Sequence, residues 1–164
     1  MLEKLHIQNF ALIKDINIEF GEGLNCLSGE TGAGKSIILD ALIFIAGGKS
    51  DKSLIRYGCE KTCVEAILEI KEESSAGNIL KKEGLWENEE LLLMRTLHID
   101  GKNEIRINGR LCTLSLLKTI ACCAIEILQQ SEHLEILNPQ NHLNIIDEFY
   151  SDENLKNNIL DLNN

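Results

Sequence analysis

The residues best suited to chemistry stand together in one glycine-rich segment. In order they are Gly29, Glu30, Thr31, Gly32, Ala33, Gly34, Lys35 and Ser36. Glycines at this spacing let the backbone turn tightly, so that its N–H groups point inward around a phosphate, as in a P-loop. Lys35 is placed to reach the β- and γ-phosphates, and the Ser36 hydroxyl to coordinate Mg²⁺. The segment therefore predicts a site for a nucleoside triphosphate with magnesium.

The elements on either side of this segment are of the kind that position a P-loop. A short apolar strand is predicted at 24–27, directly before the glycines, and a helix at 35–46 directly after them. The helix is apolar on nearly every side, which indicates burial, and Gly47-Gly48 is suited to end it. Its first turn would add the positive end of the helix dipole to the phosphate site. A chance glycine-rich turn does not explain this strand–loop–helix context.

Hydrophobic periodicity along the rest of the chain predicts an α/β fold. Strands are predicted at 2–8, 12–20, 62–70, 91–99, 104–107 and 124–128, and helices at 74–83, at 114–122 after the N-cap candidate Thr113, and from Pro139 to about residue 149. Turn signals at Gly101 and at Asn108-Gly109 favour hairpins. This order indicates an antiparallel portion between two strand–loop–helix units.

Three polar residues outside the glycine-rich segment are weaker candidates. Gln130 follows a predicted buried strand, at the edge where α/β proteins bind ligands, and could meet Mg²⁺ and the attacking water; a solvated loop residue is an equal alternative. Arg56 could contact phosphate or DNA, although the sequence alone favours a surface charge. His133 beside Glu132 has no further partner cluster, so a solvated position is favoured.

The pair Asp147-Glu148 looks like a Walker B motif, in which an apolar strand ends in two carboxylates that hold Mg²⁺ and polarise water. However, Pro139 is suited to start a helix, and Leu143, Ile146 and their neighbours recur at helical spacing. We therefore expect these carboxylates to lie on a helix and to play no Walker B role.

The composition narrows the class of protein further. The 164 residues carry a formal net charge of −10, so a basic surface for nucleic acid is not indicated and any DNA contact would be local. The N-terminus lacks the apolar segment of a signal peptide, and charges interrupt every apolar stretch, so we expect a cytoplasmic protein without a membrane span. The six cysteines have no zinc-site spacing and are expected to be reduced and mostly buried.

Several segments resemble the RecN family of bacterial DNA repair proteins, which have SMC-like ABC ATPase heads. The matching segments are Leu5 to Ile13 with Phe20 to Asn25, Leu27 to Leu42 across the glycine-rich segment, Ile55 to Gly58, Val64 to Ala66, Ile107 to Arg110 and Gln130 to Leu137. The last segment is similar to the Q-loop region of that family, except that Ser131 and Leu134 replace its usual His and Gln. The resemblance extends to about Phe149.

The resemblance implies a P-loop NTPase of the ABC/SMC head type, with a parallel core sheet, flanked by helices, beside the antiparallel portion. Residues 1–150 would be the N-terminal lobe of the head and residues 151–164 the truncated start of a coiled-coil helix. The C-terminal lobe would supply the signature motif, Walker B and switch histidine, and two heads would sandwich ATP. The implied role is recombinational repair of DNA double-strand breaks, associated with the nucleoid, with DNA as partner.

The resemblance also assigns roles to individual residues. Lys35 and Gln130 would act in catalysis, Ser36 and Gln130 would hold Mg²⁺, and the residues from Gly29 to Ser36 would bind ATP. This chain alone is then expected to bind nucleotide weakly and to hydrolyse it negligibly, because positioned charge and an oriented water are needed as well as a cradle.

Two alternatives remain open at this point. One is a small self-contained P-loop kinase or other NTPase, although the chain lacks the Asn-Lys-x-Asp segment of a GTPase and the arginine-rich lid of a nucleotide kinase. The other is a non-catalytic interaction module from a split gene.

Overall fold

Alternating apolar residues build a single antiparallel sheet in the computed structural model, which describes residues 1–29 and 34–127. The strands are β1 (Leu2–Phe10), β2 (Ile13–Glu19), β3 (Lys61–Glu69), β4 (Glu90–His98), β5 (Asn103–Ile107) and β6 (Arg110–Leu111). They lie in the order β2-β1-β3-β4-β5-β6, and every pair of neighbours is antiparallel.

The register of the strands gathers the apolar side chains on one face. Ile7 lies between Ile16 of β2 and Val64 of β3, and Leu93 lies between Ala66 of β3 and Ile107 of β5. Because side chains alternate along a strand, these residues share the face on which the helices add to the same core. The opposite face carries polar side chains, among them His6, Glu65 and Arg106.

Three α-helices and a short 3₁₀ helix (Lys52–Leu54) complete the described structure; the α-helices are α1 (Lys35–Ile45), α2 (Ser75–Lys82) and α3 (Leu114–Ala124). The Ser74 hydroxyl accepts a hydrogen bond from the N–H of Gly77 at 3.1 Å, and the Thr113 hydroxyl accepts one from Leu116 at 3.2 Å. These are the N-cap bonds that serine and threonine are suited to make. No helix among residues 1–29 and 34–127 has the length and apolar character to cross a membrane.

A Schellman motif ends α1, as Gly47-Gly48 predicted. The N–H of Gly47 donates to the carbonyl of Phe44 at 3.1 Å, and the N–H of Gly48 donates to that of Ile43 at 2.8 Å. Gly47 has a φ of 94°, which an L side chain rarely adopts. The predicted hairpin turns are also present, with positive φ at Gly101, Asn108 and Gly109.

Two predicted strands are wrong within the described residues. Segment 24–27 belongs to no strand, and Leu24 is 97% exposed, because no neighbouring strand of the described structure offers it backbone partners. Helix α3 continues through Ala124, and the N–H of Ile125 still donates to Ala121, so residues 124–127 are not a strand. A short apolar run fits a strand or a buried helix equally well. The predicted parallel pairing therefore does not occur among residues 1–29 and 34–127.

The cysteines are less buried than predicted. All six lie in the described residues and none forms a disulfide; Cys26, Cys122 and Cys123 are exposed, and the other three are half-buried. The adjacent pair at the end of α3 lies away from the core because Leu117, Ile120 and Ala121 occupy the buried side of that helix. An apolar run in sequence did not reveal this helical alternation.

Candidate functional site

The helix that follows the glycine-rich segment begins in the way a phosphate site requires. Gly34, at its N-cap, has a φ of 93° in the left-handed region, and its carbonyl accepts the first helical hydrogen bond from Ile38 at 3.1 Å. Among residues 1–29 and 34–127, no heavy atom lies within 4 Å of the position that a Cβ on Gly34 would occupy. Glycine is needed there for the backbone conformation, since a side chain would have room.

Lys35 brings the two ends of the segment together. Its Nζ donates a hydrogen bond to the carbonyl oxygen of Gly29. The ammonium group therefore lies against Gly29, the first residue of the segment. Ser36 is exposed in the first turn of α1. Glu30, Thr31, Gly32 and Ala33, which were predicted to complete the cradle, lie outside the described residues.

The electrostatics of this helix end suit an anion. The first turn of α1 contains no acidic residue, and Gly34 has no side chain to cap the free N–H groups. These N–H groups and the positive end of the dipole are therefore available to a ligand. With the Lys35 ammonium alongside, the residues present fit the phosphates of a nucleotide, and the Ser36 hydroxyl fits a magnesium ligand.

The burial of α1 is uneven along its length. Its fully buried residues, Ala41, Phe44 and Ile45, all lie in the second half, and the Phe44 ring packs on Phe10 of β1 with centroids 5.7 Å apart. In the first half, Ser36 and Leu39 are exposed, and Ile37 and Ile38 are only partly buried against the core. The core therefore encloses the C-terminal half of α1 more completely than its start at Gly34.

A buried arginine, missed by the sequence analysis, meets the C-terminal end of α1. Arg95 of β4 is fully buried, and its Nη1 donates to the carbonyls of Phe44 at 2.6 Å and Gly48 at 2.8 Å. Its guanidinium lies 4.3 Å from the centre of the Phe44 ring. The alternation Leu91, Leu93, Arg95, Leu97 could have revealed it, because it places an arginine on the apolar face.

The remaining nitrogens of the buried Arg95 guanidinium differ in their hydrogen bonding. Its Nε donates to Oδ1 of Asn103 at 3.2 Å, and Nδ2 of Asn103 lies 3.2 Å from the Ser50 hydroxyl. Its Nη2 is buried without a hydrogen-bond partner among the described residues. Burial lowers the pKa of Arg95 to about 10, so the group stays protonated at neutral pH.

Arg56 is bound to its own fold. Its Nη1 donates to the carbonyl of Leu12, and its backbone N–H donates to the carbonyl of Asn9 at 2.9 Å. The half-buried side chain thus stabilises the β1–β2 turn. This role was not predicted: the sequence suggested a contact to phosphate or DNA, or a surface charge. Gln130, His133, Asp147 and Glu148 lie outside the described residues, so their predicted roles stay predictions.

A second group of titratable residues lies on the opposite face of the sheet. His6 Nε2 is 3.1 Å from Asp15 Oδ1, and His6 Nδ1 is 3.3 Å from Glu65 Oε2. Partial burial of the imidazole lowers the pKa of His6, but the hydrogen bonds and charges of Glu65 and Asp15 outweigh it, and the pKa is raised above 6.5.

Comparison with known proteins identifies a family and two similar DNA repair proteins. The chain matches the family described as an AAA domain over residues 4–163. It is 34% identical over 150 residues to the DNA repair protein RecN of Bacillus subtilis (strain 168), and 38% identical over 153 residues to that of Xylella fastidiosa (strain Temecula1). These alignments cover 91% and 93% of this chain but 26% and 28% of the relatives. The chain thus spans about a quarter of their length.

A solved structure shares the fold. It comes from work on ATP-driven dimerization and DNA-stimulated activation of SMC ATPases, and it superimposes with a TM-score of 0.65 at 23% sequence identity. The superposition covers 91% of this chain and 99% of the other. This chain therefore shares the fold of that structure over most of its length.

Proposed function

The chain belongs to the AAA domain family, and on this premise we propose that it is the ATP-binding N-terminal lobe of a RecN-like DNA repair ATPase. Its similarity to two RecN proteins over nine-tenths of its length supports the DNA repair role. The SMC-type fold supports the assignment to an ABC-type head.

The observation that carries the proposal is the start of α1. A left-handed glycine, an ammonium group hydrogen-bonded to the first glycine of the motif, and a helix end without acidic residues occur together at residues 29 and 34–36. In the proposed site, backbone N–H groups from Gly29 to Ser36 hold the α- and β-phosphates of ATP. Lys35 neutralises the β- and γ-phosphates, and the Ser36 hydroxyl binds Mg²⁺.

Hydrolysis would need more than this cradle. Mg²⁺ would neutralise charge on the transferred phosphoryl group, and Gln130 would hold the metal and orient the attacking water. We propose that a C-terminal lobe supplies the signature motif and the catalytic carboxylate, and that two heads close on ATP. DNA would be the partner of the whole protein in double-strand break repair, in the bacterial cytoplasm. The two RecN relatives, both from bacteria, support these assignments.

The test is a titration of ATP with Mg²⁺ into the 164-residue chain, monitored by calorimetry. Lys35→Ala should raise the Kd at least about tenfold, because a charge-assisted contact to phosphate contributes on the order of 1.5–3 kcal/mol. Lys14→Ala, an exposed lysine on β2, is the matched control and should leave the Kd unchanged. Equal affinity of the wild type and Lys35→Ala would refute the P-loop role.

A further inference from the structure

The direction of α1 is set at the end that is farther from the phosphate site. Its fully buried residues all lie in the second half, whereas Ile37 and Ile38 near its start are only partly buried and the first turn has no side-chain cap. An 11-residue helix is about 16 Å long, so a tilt of about 4° at the held end moves the other end by about 1 Å. Such a displacement is large compared with the tolerance of a binding site for phosphate.

Arg95 is a polar group that binds the C-terminal turn of α1. The last turn of α1 contains no basic residue, so the helix supplies no cation of its own to the negative end of its dipole. The guanidinium of Arg95 takes that place from β4, with Nη1 between the carbonyls of Phe44 and Gly48. Its stacking on the Phe44 ring fixes the same turn from a second direction.

Stability alone does not account for an arginine at this position. The neighbours of Arg95 on the same face of β4 are leucines, and a buried charge whose Nη2 has no hydrogen-bond partner in the described part of the chain is costly to desolvate. A hydrophobic side chain of similar volume would avoid that cost. Such a side chain could not, however, donate hydrogen bonds to the carbonyls of Phe44 and Gly48. It also could not connect, through Asn103, to Ser50 in the loop after α1.

We propose that Arg95 is a positioning residue for nucleotide binding. By clamping the C-terminal turn of α1 to β4, it fixes the axis of the helix and so aims Gly34, Lys35 and Ser36 at the phosphates. This inference rests on the proposed function, because it needs a nucleotide at the start of α1. Arg95 itself touches no nucleotide in this arrangement.

The experiment compares Arg95→Met with Leu80→Ala in the 164-residue chain. Leu80 is fully buried on α2, away from α1, so its truncation lowers stability by a cavity without touching the clamp. Both variants are assayed for Tm and for the Kd of ATP with Mg²⁺, at a temperature where each is folded. Arg95→Met should raise the Kd about tenfold, and Leu80→Ala should leave it within about twofold of wild type.

Arg95→Lys provides the second variant. A lysine keeps the charge but has no planar fork, so we expect a Kd between those of wild type and Arg95→Met. Wild-type affinity in Arg95→Met, or an equal loss of affinity in Leu80→Ala, would overturn the proposal. If Arg95→Met does not fold, wild-type affinity in Arg95→Lys overturns the proposal, and a raised Kd there, with Leu80→Ala unchanged, supports it.

Amide hydrogen exchange tests the contact between Arg95 and α1 independently of nucleotide binding. Arg95→Lys should speed exchange of the Gly47 and Gly48 N–H groups, which close the turn that Arg95 clamps. Lys35→Ala should raise the Kd of ATP at least about tenfold and leave this exchange unchanged. If the wild-type chain binds no nucleotide, the proposed function fails, while unchanged exchange in Arg95→Lys refutes the clamp by itself.

Discussion

Asn108 and Leu92 are joined by two hydrogen bonds of opposite direction. The N–H of Asn108 donates to the carbonyl of Leu92 at 2.9 Å, and Oδ1 of Asn108 accepts from the N–H of Leu92 at 2.8 Å. Nδ2 of the same side chain donates to the carbonyl of Leu85 at 2.9 Å. A residue with a φ of 47° in a hairpin turn thereby also fastens the start of β4.

Replacing Asn108 should therefore cost more than a turn substitution usually does. Asn108→Ala loses two side-chain hydrogen bonds and places an alanine at positive φ, for an expected loss of about 2–4 kcal/mol in the free energy of unfolding. Urea denaturation measures it. Asn108→Gly removes the same bonds without the backbone strain and should cost less; an alanine variant as stable as the glycine variant would contradict this account.

Substitution of Gly34 should weaken nucleotide binding through the backbone. The added methyl of Gly34→Ala meets no atom of the described residues, so its expected effect is the strain of a positive φ, about 1–2 kcal/mol, at the start of α1. We expect a rise of about tenfold in the Kd of ATP with Mg²⁺. Gly23→Ala is the matched control, since Gly23 also has positive φ with open space around it. It should lose similar stability and keep its affinity.

Gly77→Ala should destabilise the protein although alanine favours helices. Helix propensity alone predicts a gain of about 1 kcal/mol. A Cβ on Gly77 would, however, lie 2.5 Å from the carbonyl oxygen of Glu72 and 2.6 Å from that of Lys71, and backbone atoms cannot move aside easily. We expect a net loss of about 1–3 kcal/mol by thermal or urea unfolding. Ser75→Ala, exposed on the same helix, should change stability little; a stabilised Gly77→Ala variant would disprove the close packing.

The group formed by His6, Asp15 and Glu65 should make stability depend on pH. Because the folded-state pKa of His6 is raised above 6.5, its contribution is fully present below about pH 6.5 and is lost as pH rises through the folded-state pKa. The side chain is 36% exposed, so screening by solvent keeps the effect at about 0.5 kcal/mol or less. The stability of wild type relative to His6→Gln should fall as the pH rises above about 6.5. Parallel curves would contradict the raised pKa.

The 164-residue chain should hydrolyse ATP negligibly. We expect the carboxylates of Asp147 and Glu148 to take no part, so release of phosphate should be the same for wild type, Asp147→Asn and Glu148→Gln. Magnesium-dependent turnover that either substitution abolishes would assign a Walker B role to this pair and overturn the expectation. A coupled phosphate assay with a no-enzyme blank measures the rate.

Much of the fold could be predicted because its signals are local. Alternating apolar residues predicted β3 and β4. Ser74 and Thr113 lie at the predicted helix starts, and Asn108-Gly109 predicted a hairpin turn. Residues 24–27 and 124–127 were predicted wrongly because a short apolar run does not say whether a partner strand is present. Strand pairing depends on distant residues, which local patterns cannot report.

The candidate site could be predicted only at its glycine-rich end. Gly34 and Lys35 are recognisable because phosphate binding demands particular residue types at fixed spacing. Arg95 was missed because its role depends on the register that places β4 beneath the end of α1. The role of Arg56 in fastening Leu12 was missed for the same reason: both partners of the hydrogen bond are far apart in the chain.

The order of the strands has a consequence for the kinetics of folding. Strands β3 to β6 pair with their neighbours in the chain, so this meander closes only short loops and should form early. The pairing of β1 with β3 closes a much longer loop, the segment between Phe10 and Lys61, and that loop contains all of α1. The start of α1 thus lies in a segment that should dock after this meander has formed. A ligand bound there would slow unfolding more than it speeds folding.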